Sequence, residues 1–148
     1  MSAAADTRRT ALAFLDAYWR GDLGAVRELA APAAIIELPR STPMASPAPL
    51  LDVLPVIFER LYPRFRDRRF EIAIERCVVE GDIALVEYEA NGALVSGRRF
   101  SCRYLVVLEV AAGHIVRFRP YTDTQYINAE LLSPTLPEPS DRAASQPC

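Results

Sequence analysis

The second half of the chain is the strongest constraint on the fold. From Phe70 to Tyr121 it reads as four extended runs separated by turn signals. Phe70 to Val79 alternates and is rich in β-branched residues, and Glu80-Gly81-Asp82 makes a tight turn after it. Ile83 to Ala90 is the second run, followed by Asn91-Gly92 as a turn or bulge. Arg98 to Val110 is the third, Ala111-Ala112-Gly113 the next turn, and His114 to Tyr121 the fourth. Such a series predicts an antiparallel meander.

The first half supplies helices. After Thr7 as N-cap, Leu12, Leu15 and Trp19 recur at helical spacing up to Arg20, as do Ala11, Phe14 and Tyr18. Two apolar stripes on one helix mean that other elements wrap it. Gly21 stops it, and Asp22 caps a second helix from Leu23 to Ala30. Pro32 breaks that helix, and Ala34 to Leu38 reads as a short strand. A loop rich in proline and serine runs from Pro39 to Ala48. A third helix starts near Pro49, with Pro55 expected to kink or split it and Pro63 to end it. Thr122 to Leu132 closes as a helix, with Thr122 and Gln125 spaced as a capping box. Residues 1–6 are expected to fray and the Pro/Ser-rich residues 133–148 to be disordered or draped, leaving one domain over 7–132. Helices segregated to one face of an antiparallel sheet make an α+β layer fold.

A chain of 148 residues suits one domain with its own core. Its net charge of −2 argues against a nucleic-acid partner. Arg64, Arg66, Arg68 and Arg69 form a basic run, but Asp67 and Glu71 interrupt it, so it reads as a solvated helix exit. Cys77, Cys102 and Cys148 suggest neither a disulfide framework nor a zinc site. Cys77 and Cys102 read as small core residues in a reduced, cytoplasmic setting. The N-terminus lacks the apolar core of a signal peptide, and no apolar run reaches transmembrane length. Without a cluster of ligand spacing or a Gly-rich phosphate loop, neither metal nor cofactor is implied.

Three segments carry a resemblance to a known family. They are the helix–turn–helix Phe14 to Leu29, the strand Ile35-Ile36-Glu37-Leu38-Pro39, and the ending Gly113 to Asp123. Over roughly residues 8–132 the chain resembles the SnoaL-like branch of the nuclear transport factor 2-like superfamily. The resemblance implies a cone-like curved antiparallel sheet and three helices enclosing a mostly apolar pocket. Family members include ketosteroid isomerases, polyketide cyclases, limonene epoxide hydrolase, dehydratases and non-catalytic binding modules. In the register of ketosteroid isomerase, its oxyanion tyrosine falls on Phe14, its base on Leu38 beside Glu37, and its second acid near Leu105. In the register of limonene epoxide hydrolase, its Arg-x-Asp pair falls on Glu87 and Glu89, its other aspartate on Pro120, and its asparagine near Glu37.

If the hydrolase register holds, Glu87, Glu89 and Asn91 face the cavity from one strand, Cys102, Tyr104 and Val106 from the next, and Phe118 and Pro120 from the last. Glu37 and Glu89 are then the catalytic candidates, because two carboxylates in an apolar pocket take pKa values pushed apart and divide acid and base roles. Phe14, Tyr18, Phe58, Glu87, Asn91, Tyr104 and Phe118 are the candidates for substrate contact. This pattern suits a cofactor-free isomerase, cyclase, dehydratase or epoxide hydrolase acting on a small apolar oxygenated molecule; a non-catalytic small-ligand-binding or dimerisation module is the alternative. His114, at a hairpin turn, reads as a surface residue, and Asp123 as a helix-start charge. The outer sheet face, with Leu105, Val107 and Tyr121, is expected to pair with a second copy as a homodimer.

Overall fold

The computed structural model describes residues 2–132. Helix α1 covers Ala3–Arg20, and Ser2 caps it by accepting a hydrogen bond from the Ala5 amide. It therefore starts four residues ahead of Thr7, because Ala3, Ala4 and Ala5 are strong helix formers with a good cap in front of them. At its end Gly21 takes a φ of +69°, and the Tyr62 ring packs where a Cβ would stand. The Tyr62 hydroxyl donates to the Tyr18 carbonyl and so pins this corner. Asp22 caps α2, Leu23–Leu29.

Strand β1, Ala30–Ile36, follows directly and includes Pro32. Strand β2 is only Ala48–Pro49. Helix α3, Leu50–Leu61, runs on through Pro55 as one helix, so of the expected kink or split the split does not occur. Pro55 lies in the second turn, past the positions that tolerate proline freely, so the helix continues there without the bond to the Leu51 carbonyl. A 3-10 turn, Tyr62–Arg64, leads into β3, Phe65–Glu80. Strands β4, Ile83–Leu94, β5, Arg99–Ala111, and β6, His114–Thr122, complete the meander. Helix α4 is short, Thr124–Ile127, and continues as a π-helical turn, Asn128–Leu132. Its cap is Asp123, which accepts from the Tyr126 amide, rather than Thr122, which remains in the strand.

The six strands lie in the order β2-β1-β6-β5-β4-β3. All neighbours pair antiparallel except β1 and β6, which run parallel. The helices cover one face, and no helix among the described residues is long and apolar enough to cross a membrane. Cys77 is a half-buried free thiol, whereas Cys102 is disulfide-bonded, which corrects the expectation of a free thiol there.

Alternation along β4 places Ala84, Val86, Tyr88 and Ala90 in the core and leaves Leu85, Glu87, Glu89 and Asn91 on the opposite face. Asn91-Gly92 is neither a turn nor a bulge; both residues pair in register with Ser101 and Phe100. Gly92 stands there because the Phe65 ring lies on it. A Cβ at this position would come within 2.6 Å of the ring. Phe65 has no room to yield, being wedged against Phe70 at 4.6 Å and Phe100 at 5.2 Å between centroids. Gly92→Ala is accordingly expected to destabilise the fold by about 1–3 kcal/mol through overpacking. The denaturant midpoint measures this, and an unchanged midpoint would show that the ring moves freely.

Candidate functional site

Tyr88 and Tyr104 are partners across β4 and β5, with rings parallel to within 6° and centroids 5.2 Å apart. Directly opposed residues project from the same face of a sheet, so the two phenols stand side by side under the helices. Tyr18 and Trp19 of α1 meet them, with Trp19 edge-on to Tyr104 at 5.3 Å and to Tyr88 at 5.8 Å. Ile57 and Leu61 of α3 and Phe118, Pro120 and Thr122 of β6 form the sides. Pro39, Thr42 and Met44, from the loop after β1, form the roof. Polar contacts hold this roof down: the Ser41 and Thr124 hydroxyls are 2.6 Å apart, and the Asn128 amide donates to the Ser41 carbonyl at 2.7 Å.

The cavity measures about 70 Å³. At ~10–15 Å³ per water-sized group, it holds about five such groups, which is a one-ring molecule rather than a fused-ring one. Among the described residues, no side chain lining it is charged at neutral pH. Thr42 donates its proton to the Pro39 carbonyl and Thr122 to the Arg103 carbonyl, which leaves the tyrosines as the available donors. Among the described residues, the hydroxyls of Tyr18 and Tyr104 make no protein hydrogen bond. Burial pushes the phenols of Tyr18, Tyr88 and Tyr104 above their ordinary value of 10.0, and for Tyr88 and Tyr104 neighbouring phenols push the same way. All three are therefore neutral donors across the physiological range.

The carboxylates lie elsewhere. Glu89 is opposite Arg103 on the outer face and accepts from the Ser101 hydroxyl at 2.9 Å. Glu87, opposite Leu105, pairs with Arg76 at 3.1 Å. Asn91 lies on the same outer face and lines a surface groove beside Arg69 and Arg99. Glu37 follows Ile36, which is beside Phe118 in the core, so Glu37 points out, to Arg117 at 3.1 Å and to Arg119. Glu109 joins the same two arginines at 3.5 and 3.4 Å. These placements correct the expected orientation of Glu37, Glu87, Glu89 and Asn91. The expectation took β4 in a borrowed register one residue out of phase, and a slip of one reverses every side chain.

Tyr18, Tyr104 and Phe118 do line the cavity. Phe14 and Phe58 sit one layer behind, Phe14 against Phe118 at 5.3 Å and Phe58 against Tyr18 at 5.6 Å. Tyr88 and the roof residues Thr42 and Met44 are among the lining residues that the sequence analysis did not single out. The signal for Tyr88 was present: with Glu87 and Glu89 on one face, Val86, Tyr88 and Ala90 belong on the other. His114 is exposed, as expected, with Nδ1 2.9 Å from the Ala112 carbonyl.

The sequence profile of the SnoaL-like domain family matches residues 11–118. The chain belongs to the SnoaL-like domain family. Solved structures share the fold of this SnoaL-like domain. A putative SnoaL-like polyketide cyclase from Jannaschia sp. CCS1 is 20% identical, with a TM-score of 0.70, over 91% of this chain and 97% of that one. An LEH-like epoxide hydrolase from M. tuberculosis is 22% identical, with a TM-score of 0.64, over 87% and 91%. Bal32a, from a soil-derived mobile gene cassette, is 17% identical, with a TM-score of 0.73, over 88% and 99%. No curated protein matches the chain.

The buried phenols make stability depend on alkaline pH. Tyr62 is raised as well, mainly by burial. Below pH 10 all four phenols are neutral in both the folded and unfolded chain, and their full contribution is present. Above it the unfolded chain ionises while the folded one does not, so each phenol removes ~1.4 kcal/mol per pH unit. The sequence contains no lysine whose titration would overlap. Thermal unfolding should thus show a steady Tm up to pH 9 and a steep fall from pH 10 to 11; a Tm independent of pH through 11 would mean that the phenols are solvated.

Proposed function

We propose that this SnoaL-like domain is a cofactor-free enzyme of the isomerase, cyclase, dehydratase or hydrolase type acting on a small, uncharged, apolar oxygenated molecule. The observation that carries this is an apolar cavity whose available polar groups are neutral phenols. A carbonyl or epoxide oxygen set against Tyr104 and Tyr18 is polarised, and the hydrogen bonds strengthen as charge builds on that oxygen. Proton transfers then run through water or between atoms of the substrate, since none of the described residues lining the cavity is a carboxylate. The similar structures of a putative SnoaL-like polyketide cyclase and an LEH-like epoxide hydrolase support the enzyme class. The missing carboxylate favours the second reading, a binding module without catalysis.

A panel of cyclic ketones, enones and epoxides followed by mass spectrometry separates the two. Conversion supports the enzyme, saturable binding without product supports the module, and no binding defeats both. With a converted substrate, Tyr104→Phe is expected to cost about 10²–10³ in kcat, the usual loss for one oxyanion donor. Glu37→Gln and Glu89→Gln should leave kcat within about threefold, and a loss of a hundredfold in either would restore a carboxylate mechanism. The rate should be flat from pH 6 to 9, because the cavity phenols titrate only above 10.0.

We also propose that a second copy covers the outer sheet face. Leu105 and Tyr121, opposed across β5 and β6, are 42% and 50% exposed there. Sedimentation should give a dimer for the native chain and a monomer for Leu105→Arg; a native monomer at high concentration would overturn this.

A further inference from the structure

The indole nitrogen of Trp19 lies 3.0 Å from the Tyr88 hydroxyl, and both groups are buried. An indole N–H is a donor only, so the phenol oxygen is the acceptor in this bond. The phenol proton therefore cannot be directed at Trp19. Among the described residues no other protein group takes it. Tyr88 lines the cavity, so the cavity is where that proton is offered. The direction is fixed because the indole cannot turn. Tyr18 packs its edge at 5.2 Å, Phe70 at 4.9 Å and Tyr104 at 5.3 Å. A phenol whose oxygen already accepts a hydrogen bond is a stronger donor through its own proton, because chained hydrogen bonds polarise one another.

We infer that Trp19 is a positioning residue that commits Tyr88 to donate into the cavity, and that with Tyr104 beside it this end of the pocket selects a ligand presenting a two-lone-pair acceptor, such as a ketone carbonyl. This deepens the proposed function and rests on the cavity being a ligand site. The two lone pairs of a carbonyl oxygen match two parallel phenols standing side by side. A ligand of equal shape without that oxygen leaves both donors unpaired in an apolar space, which is unfavourable.

The chain has a single tryptophan, so its indole ¹H–¹⁵N resonance reports on this bond alone. The probes are cyclohexanone and methylenecyclohexane, one-ring molecules of the same outline, with and without the oxygen. Cyclohexanone is expected to move the indole resonance in the native protein, and Tyr88→Phe to abolish that movement. Trp19→Phe keeps an aromatic ring but removes the N–H. It is expected to weaken cyclohexanone by about two- to tenfold, the range for one net hydrogen bond, and to leave methylenecyclohexane unchanged. Equal weakening of both probes would make Trp19 a packing residue and overturn the inference while leaving the ligand pocket intact. Failure of the native protein to bind either probe would defeat the pocket itself, and the inference with it.

Discussion

Tyr88 and Tyr104 lie opposite each other in neighbouring strands, and this one register fixes the rest of the molecule's chemistry. Because opposed residues share a face, setting the two phenols inward sends Glu87, Glu89 and Asn91 outward in the same stroke. It also puts Val86 against Val106 and Ala90 against Cys102, the small and apolar pairs that let α1 approach the sheet. Trp19 then rests edge-on across both tyrosine rings. Shifted by one residue, the strand would bury two glutamates and expose a tyrosine, a loss that no helix packing recovers.

The two faces of the sheet are held by different forces. The inner face is bound by contacts among aromatic rings, each pair adding about 0.5–1.5 kcal/mol beyond area burial. The outer face carries Glu37, Glu109, Arg117 and Arg119 as an interlaced group of charges, roughly one-third exposed. Exposed ion pairs contribute about 0–1 kcal/mol each, so the outer network sets surface character more than stability. One buried exception is Glu130, whose carboxylate meets Arg98 at 2.9 Å and ties the final turn to the loop that enters β5. A buried pair of this kind is more sensitive to the loss of one partner than the exposed outer network.

Much of this was legible in the residues. Alternation and turn signals located the meander, and helical spacing found α1 with Tyr18 and Trp19, which reach the pocket. The ends of elements were less legible. Three alanines extended α1 forward, and a strand interior at Asn91-Gly92 resembled a turn because tertiary packing of Phe65 is invisible in a local window. The candidate carboxylates were lost for a different reason. The simple alternation of Val86-Glu87-Tyr88-Glu89 already separated a charged face from an apolar one; a register borrowed from a relative overrode it. The roof over the cavity lies in a loop without periodicity, so nothing in its spacing announced Thr42 or Met44 as lining.

Strand β3 borders the sheet along sixteen residues, with no further strand beyond it among the described residues. Its pairing is irregular between Ile74 and Arg76, and Asp67 and Arg68 both take positive φ values. Charged residues, among them Arg66, Arg69, Glu71, Glu75 and Glu80, stand along it. Another strand seeking to extend the ladder would meet a kink, an irregular register and charged side chains, the devices that discourage edge-to-edge growth. Growth of the sheet through this border is thereby disfavoured, which leaves the outer face as the better surface for a second copy.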